Sequence, residues 1–118
     1  ADYRVSPEPL FDHQDFRRSV CVIVTTYNVE FFVGRAIQSV LDQSYRELEV
    51  IVVDDRSTDH TRDVLAHFAA QDQRVSAFTV SYGTMGGVGA AANIGLSVCR
   101  GRFVLFFDGD DWLEPHAV

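Results

Sequence analysis

The sequence predicts an α/β fold with a doubly wound, mostly parallel sheet. Short apolar runs rich in β-branched residues alternate with stretches of helical period, in the order strand, helix, strand, helix, strand, helix, strand. Three of the four apolar runs end in polar or acidic residues: 25–28, 54–55 and 108–111. In a parallel sheet such ends share one edge, and ligands bind outside it. The last run is the most telling. Residues 103–111 read F-V-L-F-F-D-G-D-D, five apolar residues followed by three carboxylates in four positions.

Taken in order, residues 1–17 carry Pro7, Pro9 and scattered charge without a steady period, so they read as a linker or arm. The domain proper is expected over 18–118. Residues 20–24, V-C-V-I-V, form a continuous apolar run and a buried first strand. A helix is expected from about 30 to 43, with Val33, Ala36, Ile37, Val40 and Leu41 at i, i+3, i+4 spacing. Residues 48–53 form the second strand. The turn after it, D-D-R-S-T-D, supplies helix-capping residues, and Val64, Leu65 and Phe68 mark the buried face of the next helix. Residues 75–80 are a weaker third strand. A glycine stretch, 83–89, leads into an alanine-rich helix over about 88–99, which Gly101 stops. The fourth strand, 103–107, reads as buried on both faces.

At 118 residues the chain is one domain, large enough to bury a core. Its net charge of −7 argues against a nucleic-acid backbone or an anionic membrane surface as partner. No apolar run reaches membrane-spanning length. Cys21 and Cys99 fall inside expected buried elements and make no metal motif, so they read as reduced core cysteines of a cytosolic protein. The first residue is not Met, and the chain stops just after its richest motif. It reads as a fragment of a longer protein, truncated after the acidic motif.

Asp108, Asp110 and Asp111 crowd negative charge at a strand end. A hard divalent cation relieves this, because carboxylate oxygens suit Mg²⁺ or Mn²⁺. The bland alternative is an acidic turn in solvent. Asp55 reads either as a helix-capping carboxylate or as an acceptor for a nucleobase or ribose; capping accounts for most of Asp54, Ser57 and Asp59. Tyr27 is suited to stack on a base and Thr25 to hydrogen-bond one, while an ordinary polar loop fits residues 25–28 equally well. Gly87-Val88-Gly89-Ala90-Ala91-Ala92 matches a loose dinucleotide fingerprint, but residues 82–86 separate it from the preceding strand. An NAD-binding domain is therefore a competing reading. An aspartate-nucleophile phosphohydrolase is a weaker one, since Trp112 occupies the place where a small or β-branched residue is expected. His13, His60, His67 and His116 do not cluster and read as solvated.

Four stretches, V-C-V-I-V-T-T-Y-N, V-I-V-V-D-D-R-S-T-D, A-N-I-G-L-S-V-C-R-G-R-F and F-F-D-G-D-D-W-L-E-P, stand in the order and spacing of inverting, nucleotide-sugar-dependent glycosyltransferases. Residues 20–115 thus resemble the donor-binding half of the large second family, which has the GT-A, Rossmann-like fold. The resemblance implies transfer of a sugar from a nucleoside diphosphate, with a bias to UDP, to an acceptor hydroxyl with inversion. It implies a donor-binding set of Thr25, Tyr27, Asn28, Asp55, Asn93 and Asp108. It makes Asp108 and Asp110 the D-x-D pair holding Mn²⁺ or Mg²⁺, with Asp111 holding the loop. Two departures stand out. Ala92 precedes Asn93 where many members carry Arg or Lys, and no Lys or Arg lies between Arg74 and Arg100. The general base that inversion requires is expected beyond Val118. A nucleotide-binding module without transfer activity is the rival reading. The expected setting is cytoplasmic, or peripheral at a membrane in the full-length protein.

Overall fold

The computed structural model describes residues 20–80, 88–101 and 103–114. The expected arm, 1–17, and most of the glycine stretch, including Gly87, lie outside the described residues.

Seven elements alternate as expected: β1 Val20–Thr26, α1 Val33–Leu41, β2 Leu48–Asp54, α2 Thr61–Gln71, β3 Val75–Thr79, α3 Val88–Val98 and β4 Phe103–Asp108. The four strands form one sheet in the order β3-β2-β1-β4. Every pairing is parallel. The first connection steps outward from β1 through β2 to β3. The chain then returns to place β4 on the other side of β1, so the order reverses beside β1. That reversal opens a crevice at the carboxyl ends of β1 and β4.

The helices divide between the two faces. Side chains alternate across a strand. Val22 and Val24 of β1 and Val50 and Val52 of β2 therefore meet Val33, Ile37 and Val40 of α1 and Leu65 of α2. Cys21, Ile23, Ile51 and Val53 point the other way and meet Ala91 of α3, with Ile94 and Val98 packed alongside. Gly95 is what lets α3 approach. A Cβ at that position would lie 2.5 Å from Ile23 Cγ2.

Two expectations need correction. β4 is not buried on both faces: Phe103, Val104 and Phe106 are exposed, the first at 57%. Among the described residues β4 pairs only with β1 and so forms an edge of the sheet. An apolar run shows that a strand is extended and apolar, but its place in the sheet depends on what pairs with it. The cysteines also differ from expectation. Cys21 in β1 and Cys99, one residue past α3, are paired as a disulfide across 78 residues of sequence. α1 is shorter than its periodicity suggests, because a turn at residues 29–32 precedes it, with the amide of Val33 donating to Val29 O at 2.8 Å.

Candidate functional site

Parallel register brings three strand ends together. Thr25 pairs with Asp108 and Thr26 with Asp54. Just past these pairs lies an open cavity of about 290 Å³ lined by Thr25, Thr26, Tyr27, Val29, Asp55, Ala91, Asp108, Gly109 and Asp110. Of the residues expected to bind a donor, Thr25, Tyr27, Asp55 and Asp108 thus share one cavity, and Asp110 joins them. Asn28 and Asn93 are not among the lining residues.

The cavity floor is held by backbone. The Gly109 amide donates to Thr25 O at 2.9 Å, and the Asp55 amide donates to Thr26 O at 2.9 Å. Each bond extends a sheet ladder one step beyond its strand, so the loops leave the sheet in fixed directions. Gly109 is close against β1: a Cβ there would lie 2.8 Å from Thr26 Cγ2 and 3.1 Å from Thr25 O. The Thr25 hydroxyl donates to Asp108 Oδ1 at 3.4 Å.

Asp54 and Asp55 are adjacent and do different work. Asp54 is fully buried. Its carboxylate accepts the Thr26 hydroxyl at 2.7 Å, the Ser57 amide at 2.8 Å and the Ser57 hydroxyl. A buried carboxylate needs such partners, and here they tie β1 to the turn after β2. Asp55, by contrast, faces the cavity, with the Arg56 guanidinium 3.4 Å from its Oδ1. Arg56 adopts φ 56°, in the left-handed region that favours glycine. Asn28, at φ 50°, turns its side chain to the same loop, where its Oδ1 accepts the Thr58 amide at 2.8 Å. Asn28 therefore braces the loop that carries Asp55. Asn93 is exposed on α3 two residues past Ala91.

Asp59 accepts the Thr61 amide at 2.9 Å and the Glu30 amide at 3.2 Å. Desolvation raises its pKa, but hydrogen bonds from Thr61 and backbone amides outweigh this and hold the carboxyl below its ordinary value. Asp59 thus joins the first amide of α2 to the Glu30 amide, while the N-cap position expected for a capping carboxylate is taken by His60, whose side chain makes no capping bond. His60 contacts Asp63 at 3.1 Å on the surface, and His67 meets Phe68 edge-on. His13 and His116 lie outside the described residues.

The acidic turn forms a compact cluster. Asp108, Asp110 and Asp111 are all exposed and can bring one carboxylate oxygen each within 4.8 Å of one another. Three hard oxygen donors with open sides fit a Mg²⁺- or Mn²⁺-like ion. The turn is closed by the Asp111 amide donating to Asp108 O at 3.1 Å. The next two residues, Trp112 and Leu113, fasten the turn to α1. The Arg35 guanidinium lies 4.1 Å from the Trp112 ring centroid, and the Leu113 amide donates to Ser39 Oγ at 2.9 Å. Sequence reasoning gave Arg35, Ser39, Trp112 and Leu113 no such role. Tertiary contacts between segments more than 70 residues apart leave no periodic signal.

Comparison with solved structures places this architecture. The mannosyltransferase PcManGT from Pyrobaculum calidifontis, in complex with GDP-Man and Mn²⁺, superposes with a TM-score of 0.73 at 28% identity, over 98% of this chain and 33% of that one. S. aureus TarS 1-349 in complex with UDP-GlcNAc gives a TM-score of 0.69 at 32% identity, over 80% and 27% of the two chains. In sequence, the putative glycosyltransferase EpsH of Bacillus subtilis (strain 168) is 35% identical over 97 residues, covering 82% of this chain. The chain spans 27% of EpsH's length. The family model "Glycosyl transferase family 2" matches residues 21–118, a span that takes in the sheet, its helices and the acidic turn, and the chain therefore belongs to Glycosyl transferase family 2.

Proposed function

We propose that this chain is the donor-binding part of an inverting glycosyltransferase and takes a nucleoside diphosphate sugar, with UDP the favoured nucleotide. One observation carries the reading: Thr25, Tyr27, Asp55, Asp108 and Asp110 line a single cavity at the carboxyl edge of the sheet. Tyr27, 59% exposed, offers a ring face for the base. Asp55 is acceptor-only when ionised, and accepts from the N–H of a pyrimidine such as uracil. Thr25 and Asp108 reach the ribose side. The nucleotide sugars bound to TarS and PcManGT support the donor class, and the Mn²⁺ bound to PcManGT supports a metal.

Asp108 and Asp110 would hold the cation. When bound, a divalent ion neutralises the diphosphate and stabilises it as a leaving group. Asp111 sits in the same cluster but not in the cavity lining, and it closes the turn through its backbone amide rather than its carboxylate. The acceptor hydroxyl is expected to lose its proton to a carboxylate outside this chain.

The test is a calorimetric UDP titration with Mn²⁺ and with chelator, on wild type, Asp110→Asn and Asp111→Asn. UDP should bind with Mn²⁺, weaken sharply with chelator, and weaken more in Asp110→Asn than in Asp111→Asn. Unchanged affinity in chelator would remove the metal from the reading. A more damaging Asp111→Asn would move the ligand role from Asp110 to Asp111.

A further inference from the structure

We propose that Cys21 and Cys99 form a reversible thiol–disulfide modification site that fastens the end of α3 to the central strand. The site lies away from the donor cavity, and none of the cavity functions accounts for it. Cys21 is fully buried in β1, while Cys99 is only partly buried just past α3. Their Cα atoms lie 6.1 Å apart, inside the span a disulfide bridges without backbone movement. A third group belongs to the site. Glu49 is the register partner of Cys21 on β2, and its carboxylate lies within 4.8 Å of both sulfurs. Arg100 fixes that carboxylate, donating from its amide at 3.0 Å and from Nε at 3.4 Å.

This arrangement assigns roles. Cys99, partly buried where Cys21 is fully buried, is the reachable sulfur, and as the thiolate it is the attacking group in disulfide exchange. Its thiolate attacks a low-molecular-weight disulfide such as oxidised glutathione; the S–S bond breaks and one glutathione thiolate leaves. Glu49 takes the proton from the Cys21 thiol, and the Cys21 sulfur displaces the second glutathione from Cys99. Two thiols and one glutathione disulfide thus become one protein disulfide and two glutathione thiols, the two released protons ending on the glutathiones. The bridge closes a loop across 78 residues of sequence, which restricts the unfolded chain strongly in the chain-entropy account.

The experiment equilibrates the chain in glutathione buffers of graded oxidation. Samples are quenched in acid, denatured and alkylated, and free thiols are counted by intact mass. Wild type should pass from two thiols to none as the buffer becomes oxidising, with no glutathione retained. Its melting temperature should fall by several degrees in dithiothreitol, and Cys99→Ser should show no such fall. Glu49→Gln should slow bridge closure while leaving the final count unchanged. Two thiols persisting in excess oxidised glutathione would overturn the proposal. So would a stable glutathione adduct, or a native mass spectrum in which added Zn²⁺ is retained by both cysteines and blocks closure.

Discussion

In the proposed function, Asp55 is the residue on which base recognition turns. It shares a turn with Asp54, yet the two carboxylates are divided by environment. Asp54 is buried and spends its oxygens on Thr26 and Ser57, whereas Asp55 borders the cavity. Asp55→Ala should therefore weaken UDP binding while leaving the fold intact. A hydrogen bond to a charged group is worth about 1.5–3 kcal/mol, so affinity should fall roughly tenfold or more. Calorimetry showing equal affinity for both forms would take Asp55 out of the site. Asp72, remote from the cavity, gives a pH-dependent prediction. Hydrogen bonding from the Arg74 side chain is the largest cause holding its carboxyl below the ordinary 3.8, with burial opposing. Nε and Nη2 of Arg74 donate to its two oxygens at 3.1 and 2.9 Å. Because the folded pKa is depressed, this pair's stabilisation is complete above pH 3.8 and is lost as pH falls through the lower, folded value. Arg74→Ala should raise the Asp72 pKa toward its ordinary value, which a carboxyl-carbon NMR titration reads directly.

At the scale of elements, α3 is held against the sheet by a missing methyl. Gly95 faces Ile23, which is fully buried, and a Cβ would sit 2.5 Å from one methyl and 3.2 Å from Cδ1. Neither the strand nor the helix can yield without disturbing the core. Gly95→Ala should cost about 1–3 kcal/mol by overpacking, despite alanine's better helix propensity. In a double-mutant cycle read by urea unfolding, Ile23→Ala should cost less in the Gly95→Ala background than in wild type. Additive costs would show that the helix accommodates the methyl elsewhere. The same element shows what the sequence makes legible. Its helical period and its stop before Gly101 were readable, because both are local. The contact of Gly95 with Ile23 was not, since the two lie 72 positions apart. β1 and β2 were readable as buried strands because both have partners on either side. The residues of β4 look the same in composition, yet its exposure depends on the sheet order, which no window of sequence contains. The convergence of Thr25, Asp55 and Asp108 was legible, because parallel topology follows from the βα alternation and fixes which strand ends meet. The bracing role of Asn28 was not, since it rests on a left-handed backbone and a bond to Thr58 across 30 residues.

For the whole molecule, the proposed function assigns each carboxylate that lines the cavity to donor or metal, and this sets a limit on what the chain does by itself. In the proposed function Asp55 meets the base and Asp108 and Asp110 hold the cation, while Asp54 is buried against Thr26 and Ser57 and Asp111 stands outside the cavity lining. Inversion in a single displacement requires a general base within hydrogen-bond reach of the acceptor hydroxyl, on the side opposite the departing diphosphate. A carboxylate already coordinating a cation is a poor base, because the positive charge lowers its proton affinity. The chain also spans only 27% of EpsH's length, so acceptor recognition is expected to draw on sequence outside these residues. The 118-residue chain should therefore bind UDP in a Mn²⁺-dependent manner yet transfer no sugar from a UDP-sugar to a panel of saccharide acceptors. Mass spectrometry of the acceptors checks the transfer, and calorimetry on the same preparation checks that the donor site is formed. Binding without product would fit the proposed division of labour. Steady product formation by this chain alone would mean that one of the cavity carboxylates is the base, and Asp55→Asn, Asp108→Asn and Asp110→Asn would then be compared by acceptor turnover to identify it.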